Sequence, residues 1–216
     1  MEKSTLQQET LFNIPFWGIR IINFEEKKKK LVKLLESYPE KEEKYEERVE
    51  DNFGNLVTFC HKGEFATNRQ IDRSGLVERF FSIMKKELED FSREINKDFA
   101  ITDIWSVSYD VGDSQAAHNH SAVGLSGILY LDLPKDSPKT TYMQPWHDHE
   151  TDTVKHIEVP IIEGDICIVP SFVLHFSGPN KSKNKKRIIS WDMKILEKNQ
   201  YLDQLKIHSL EEVYDN

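Results

Sequence analysis

The chain reads as an α+β protein, with helices first and a small β sandwich or barrel after them. Two patterns carry that reading. Over 76–95, Val77, Phe80, Phe81, Met84, Leu88, Phe91 and Ile95 recur at spacings of three and four, the mark of a helix with one buried stripe. From residue 100 the chain breaks into short runs, AITDIWSVSYDVG, LSGILYLDL, KHIEVPII, GDICIVP and RIISWDMKI, rich in Val, Ile, Trp and Tyr and separated by Gly, Pro, Asp and Asn. Such segregation places the N-terminal helices on the outside of one sheet.

Taken in order, residues 1–10 are a polar start, and 11–22 (LFNIPFWGIRII) an edge or capping strand that tolerates Pro15. Asn23 followed by Glu26 is a capping-box pattern opening a helix to about Glu36, with Leu31, Leu34 and Leu35 as its buried stripe and Ser37-Tyr38-Pro39 as its stop. The charged stretch 40–55 reads as a solvated loop or short helix, 56–65 as a strand, and Ser74 as the cap of the long helix. The expected layout is a cap of residues 1–99, a β core of 100–196 and a polar tail of 197–216, all one structural domain.

Several function classes are set aside by bulk properties. A formal charge of −8 disfavours nucleic acid or an anionic membrane as partner. The run Lys27–Lys30 pairs with Glu25 and Glu26 at helical i, i+4 spacing, a surface pattern. Two cysteines, Cys60 and Cys167, form no CxxC and no disulfide framework, and no signal-like apolar segment opens the chain, so a reducing cytoplasm is expected.

Chemistry concentrates in the β half. His118 and His120 stand one residue apart just before LSGILYLDL, so on an extended chain both rings point to one side. His175 ends the run GDICIVPSFVLH and can close a triangle from a neighbouring strand. Three imidazoles with open positions suit a catalytic Fe, Zn, Cu or Ni site. Arg187, inside the apolar strand RIISW, needs an anionic partner. His61 beside Cys60 faces the opposite side of its strand and reads as a decoy, and His147 and His149 in TYMQPWHDHETD read as a surface or substrate-contacting loop. His156 and His208 have no partners in the pattern, and Trp105, Trp191, Ser126 and Asn119 are pocket-lining candidates, Trp191 sharing a face with Arg187.

The segments HNHSAVGLSGILYL, GDICIVPSFVLH and KKRIISWD together resemble the non-haem iron, 2-oxoglutarate-dependent dioxygenases, in particular the branch related to prolyl hydroxylases. The resemblance spans about residues 101–193. It implies a double-stranded β-helix (a jelly-roll, cupin-like fold) holding Fe(II) on His118, His120 and His175, and 2-oxoglutarate as co-substrate. It also implies that Arg187 receives the distal carboxylate of 2-oxoglutarate, with Tyr130 and Tyr109 in the co-substrate pocket. The implied reaction is hydroxylation of a C–H bond, peptidyl or amino-acid substrates being plausible, with release of succinate and CO2. One departure stands out: His120 occupies the place where the family carries a carboxylate ligand, and neither Asp110 nor Asp113 has the spacing to replace it. A shifted register would make His120 the first ligand and Ala122 the empty position. The alternatives are a three-histidine cupin-type dioxygenase needing no 2-oxoglutarate, and a non-catalytic β-helix binding module.

Overall fold

The computed structural model describes residues 13–37 and 75–196 in full, and the backbone of 45–50, 56–61, 64–65 and 73–74. Strand β1 (Trp17–Arg20) and helix α1 (Phe24–Glu36) open it. Strands β2 (Tyr45–Glu50), β3 (Leu56–His61) and β4 (Glu64–Phe65) then precede helix α2 (Arg73–Ile95). Eight strands follow: β5 (Asp98–Tyr109), β6 (Gln115–His118), β7 (Leu125–Asp132), β8 (Thr140–Met143), β9 (His156–Glu158), β10 (Asp165–Pro170), β11 (His175–Ser177) and β12 (Lys186–Leu196).

From β5 onward the strands alternate between two sheets, except that β8 and β9 follow one another in the same one. The larger has the order β1-β10-β7-β12-β5-β4 and the smaller β6-β11-β8-β9. This alternation is the double-stranded β-helix expected above, and it sets the central strands between two apolar layers. Strand β7, LSGILYLD, is buried at seven of its eight positions for that reason. Leu125, Leu129 and Leu131 face the helices, while Ile128 and Tyr130 face the smaller sheet.

The helix-side core is built as the α2 periodicity requires. Val77, Phe80, Met84, Leu88 and Phe91 are buried, and Phe80 packs on Trp191 of β12 with ring centroids 5.1 Å apart. Leu31 and Leu34 of α1 join that layer, while Leu35 is only partly buried. Glu87, buried on α2, is neutralised by Lys27 of α1 at 2.5 Å.

Three local expectations are corrected. The Asn23 side chain makes no capping hydrogen bond, because Asn23 adopts a left-handed conformation (φ 57°), and Glu26 pairs with Lys30 at 2.7 Å instead. Residues 45–50 are neither loop nor helix but pair antiparallel with β3, Val49 opposite Val57. Helix α2 begins at Arg73, one residue before Ser74. Residues 1–12, 38–44, 51–55 and 197–216, with His208 and the side chains of Cys60 and His61, lie outside the described residues. Among the described residues no helix is long and apolar enough to cross a membrane.

Candidate metal centre

His118 ends β6 and His175 begins β11, and the two are direct partners across the antiparallel pair. His120 follows in the loop, where its peptide N–H bonds to Ser171 O at 3.0 Å and Ser171 N–H returns a bond to Gly124 O at 3.1 Å. Two strands and this stitched loop therefore bring one ring nitrogen of each histidine within 4.8 Å of the others. Among the described residues no other cluster of His, Cys, Asp and Glu could hold an ion.

The hydrogen bonds assign the tautomers. His118 Nδ1–H donates to Ala116 O at 2.9 Å and His175 Nδ1–H to Val173 O at 3.0 Å, since a carbonyl only accepts. His120 Nδ1–H donates to the carboxylate of Asp192 at 2.8 Å. Each ring thus presents Nε2 as an acceptor, the arrangement found where a metal takes one ring nitrogen and a second group holds the other. Burial, reinforced by the neighbouring His118, pulls His175 down to about 3, so it stays neutral at physiological pH. The donor set fits a divalent cation that favours imidazole, Fe(II) included.

Beyond the histidines the cavity is narrow, lined by Trp105, Tyr109, Gln115, Ile128, Thr140, Ser177, Ile188 and Ser190. The Trp105 ring lies 5.2 Å from that of His120. Gln115 bridges the cavity, accepting from Tyr109 OH at 2.7 Å and donating to His118 Nε2 at 3.3 Å. Tyr130 sits on the same inner face, fully buried, its hydroxyl donating to Thr140 Oγ1 at 2.7 Å. Ser126 is also inward, while Asn119 is exposed. A larger apolar groove between Phe16, Tyr142, Trp146, Ile157 and Val173 includes none of the three histidines.

Arg187 is not in this cavity. It shares a face of β12 with Ile189 and Trp191, as the sequence spacing implied, but that face packs on the helices. Its guanidinium pairs with Asp132, which also holds Lys28 of α1 at 2.8 Å. The inward cation is the neighbouring Lys186, fully buried. Its Nζ donates to Pro138 O and Ser177 Oγ, each at 2.8 Å, and lies 4.7 Å from the centre of the Tyr109 ring. Among the described residues no carboxylate lies within ion-pair distance of it, and burial pulls Lys186 down to about 7. The sequence reading gave Lys186 no role. The signal available was period two: Lys186, Ile188, Ser190 and Asp192 share the face opposite Arg187, Ile189 and Trp191.

The other candidates resolve simply. Asp113 accepts from Asp110 N–H at 2.8 Å in the β5–β6 turn, so neither carboxylate joins the histidines. Ala122 is exposed in the loop, whereas His118 converges with His120 and His175. His147 is exposed and bonded to Asp152 at 2.9 Å, and His149 is almost fully exposed beside Glu150. His156, on exposed β9, stacks edge-on against Phe176.

Residues 103–192 match the family described as "Putative 2OG-Fe(II) oxygenase". Over that segment the chain is similar to the 2OG-Fe(II) oxygenases, an oxidoreductase class that uses iron and 2-oxoglutarate, and the resemblance read from its motifs is borne out. Solved structures give the same fold. A non-heme monooxygenase described as a ThoJ–Ni complex aligns at TM-score 0.55 and 14% identity, over 83% of this chain and 73% of its own. A 2OG-Fe(II) oxygenase family protein from Burkholderia pseudomallei aligns at 0.52 and 11% identity, over 77% of each chain. AviO1 from Streptomyces viridochromogenes Tue57 aligns at 0.51 and 12% identity, over 82% of this chain and 88% of its own. Among curated proteins none matches the sequence.

Proposed function

We propose that the protein is a 2-oxoglutarate-dependent dioxygenase that hydroxylates a C–H bond, with His118, His120 and His175 as the Fe(II) ligands and Lys186, in place of Arg187, as the anchor for the distal carboxylate. The carrying observation is a buried cation with no carboxylate in ion-pair reach among the described residues, bonded to a residue of the strand that begins with His175. Ser177, which Lys186 touches, is two residues along β11 from His175, a separation of roughly 6.6 Å at strand rise. A five-carbon keto diacid spans such a gap, with its keto-acid end at the metal and its far carboxylate at the ammonium.

The residues divide the work accordingly. A buried ammonium is costly without an anion, so Lys186 favours a ligand carrying a carboxylate at that depth. Tyr109 packs under the ammonium and holds Gln115, which gives up His118 Nε2 when an ion takes that lone pair. The apolar side chains Ile128 and Ile188 keep bulk water from the cavity. With Fe(II) and 2-oxoglutarate bound, the centre would supply a C–H oxidation in which one atom of O2 enters the substrate and the other succinate, with CO2 released. The substrate class carried forward from the motif resemblance is a peptidyl or amino-acid C–H.

The three-histidine set keeps the cupin-type reading alive, because such a site needs no keto acid. Succinate release and oxygen uptake, measured with Fe(II) in the presence and absence of 2-oxoglutarate, separate the two. Oxygen uptake that ignores the keto acid, with no succinate formed, would sink the 2-oxoglutarate reading.

A further inference from the structure

The three histidines are not held alike. His118 and His175 donate Nδ1–H to neutral backbone carbonyls, of Ala116 and Val173, whereas His120 donates to a carboxylate. That carboxylate is itself held in place. Asp192 lies beside Ser126 across the β12–β7 pair, and the Ser126 hydroxyl donates to the same Oδ1 at 2.7 Å. Ser126 Oγ is in turn 2.9 Å from Ser171 Oγ, and Ser171 carries the backbone bond that fixes His120. Ring and peptide of His120 are therefore tied to one patch of the larger sheet. The carboxylate of Asp192 thus meets the histidine that stands where a carboxylate ligand was expected.

The geometry points to Asp192 as a positioning residue that supplies, through His120, the negative charge no direct ligand carries; this rests on the reading of the triad as an iron site. The physical argument is short. Three neutral imidazoles leave a divalent ion with its full charge, in a cavity whose described lining carries no carboxylate. A carboxylate accepting Nδ1–H draws the proton toward itself, raises the electron density on Nε2 and fixes the ring plane toward the ion. Ser126 restrains that carboxylate, so the charge is delivered along one direction. A purely structural ion pair would hold the loop equally well without an ion, and would leave metal affinity untouched once folding is intact.

The test uses the full chain, metal-free, titrated with Mn(II) alone and read by the loss of the free-ion electron paramagnetic resonance signal. Asp192→Asn keeps the shape and an acceptor oxygen but removes the charge. It is expected to weaken Mn(II) binding roughly 10–100-fold, with the melting temperature of the metal-free protein little changed. In a His120→Asp background the ion meets a carboxylate directly and the relay through His120 is gone, so adding Asp192→Asn should then change affinity less than about twofold. Wild-type affinity in Asp192→Asn, or the same loss in both backgrounds, overturns the proposal. Should Asp192→Asn not fold, Ser126→Ala carries the test, since it frees the carboxylate while keeping every charge: weaker Mn(II) binding supports the proposal and unchanged binding overturns it. If the wild-type chain bound neither Mn(II) nor Co(II), the iron-site reading itself would fail, an outcome distinct from a variant that binds normally.

Discussion

Replacing Lys186 by Met tests the co-substrate anchor most directly, because it removes the ammonium and keeps the packed stem. Two effects of opposite sign follow. Without co-substrate, burial of the ammonium opposes folding: a fall from 10.5 to about 7, at 1.36 kcal/mol per pH unit, amounts to on the order of 5 kcal/mol. Because the folded-state value is the lower one, the unfolded chain binds more protons between pH 7 and 10.5. The cost is thus fully present below pH 7 and is relieved as pH rises through that window. Part of the gain is lost again, since Pro138 O and Ser177 Oγ each forfeit a hydrogen bond worth about 1 kcal/mol. The Lys186→Met protein should therefore melt higher than wild type at pH 6.5. Its affinity for 2-oxoglutarate should fall, as a hydrogen bond to a charged group contributes about 1.5–3 kcal/mol, roughly 10–100-fold. Calorimetric titration of 2-oxoglutarate into Mn(II)-loaded protein measures the second effect and a thermal melt the first. Arg187→Met is the control. Asp132 keeps Lys28, so the change should cost less than about 1 kcal/mol of stability and leave 2-oxoglutarate affinity within about twofold. Loss of affinity in Arg187→Met but not in Lys186→Met would refute the assignment.

Three further outcomes are expected. Affinity for 2-oxoglutarate should be flat below pH 7 and fall by up to tenfold per unit above it, as Lys186 loses the proton that attracts the carboxylate; a flat profile to pH 9 would count against the anchor. His175→Ala should abolish succinate formation and reduce bound metal on elemental analysis, while the apo protein stays folded by circular dichroism. Gly127→Ala would place a Cβ 2.2 Å from Trp191 Cε2, a clash with a fully buried ring, so a loss of about 1–3 kcal/mol or more should appear in denaturant melts.

Much of this molecule is legible in its sequence, and the reasons are local. The three-four spacing from Val77 to Ile95 can bury only one face, so α2 follows. The continuous apolar runs of β7 and β10 fit strands covered on both sides, as they are. The spacing of His118 and His120, with His175 ending a later apolar run, was enough to single out the three histidines now found together. Short strands were harder: β6, β8 and β11, of three or four residues, are too brief for a pattern to form. The strand β2 was missed because Tyr45-Glu-Glu-Arg-Val-Glu50 is mostly charged, and its pairing with β3 overrides composition.

The chain alone determined that three imidazoles could face one point, from residue type and period two, while the β-helix was implied by the motif resemblance. Only the tertiary structure decided which cation looks inward. Lys186 and Arg187 are neighbours on one strand, and a register offset of a single residue exchanges their faces. What fixes the register is the fit of Ile189 and Trp191 against Phe80 and the other side chains beneath the helices, an energy spread over residues far apart in sequence. The same long-range packing brings Asp192 to His120, 72 positions away, a partnership that no local pattern could announce.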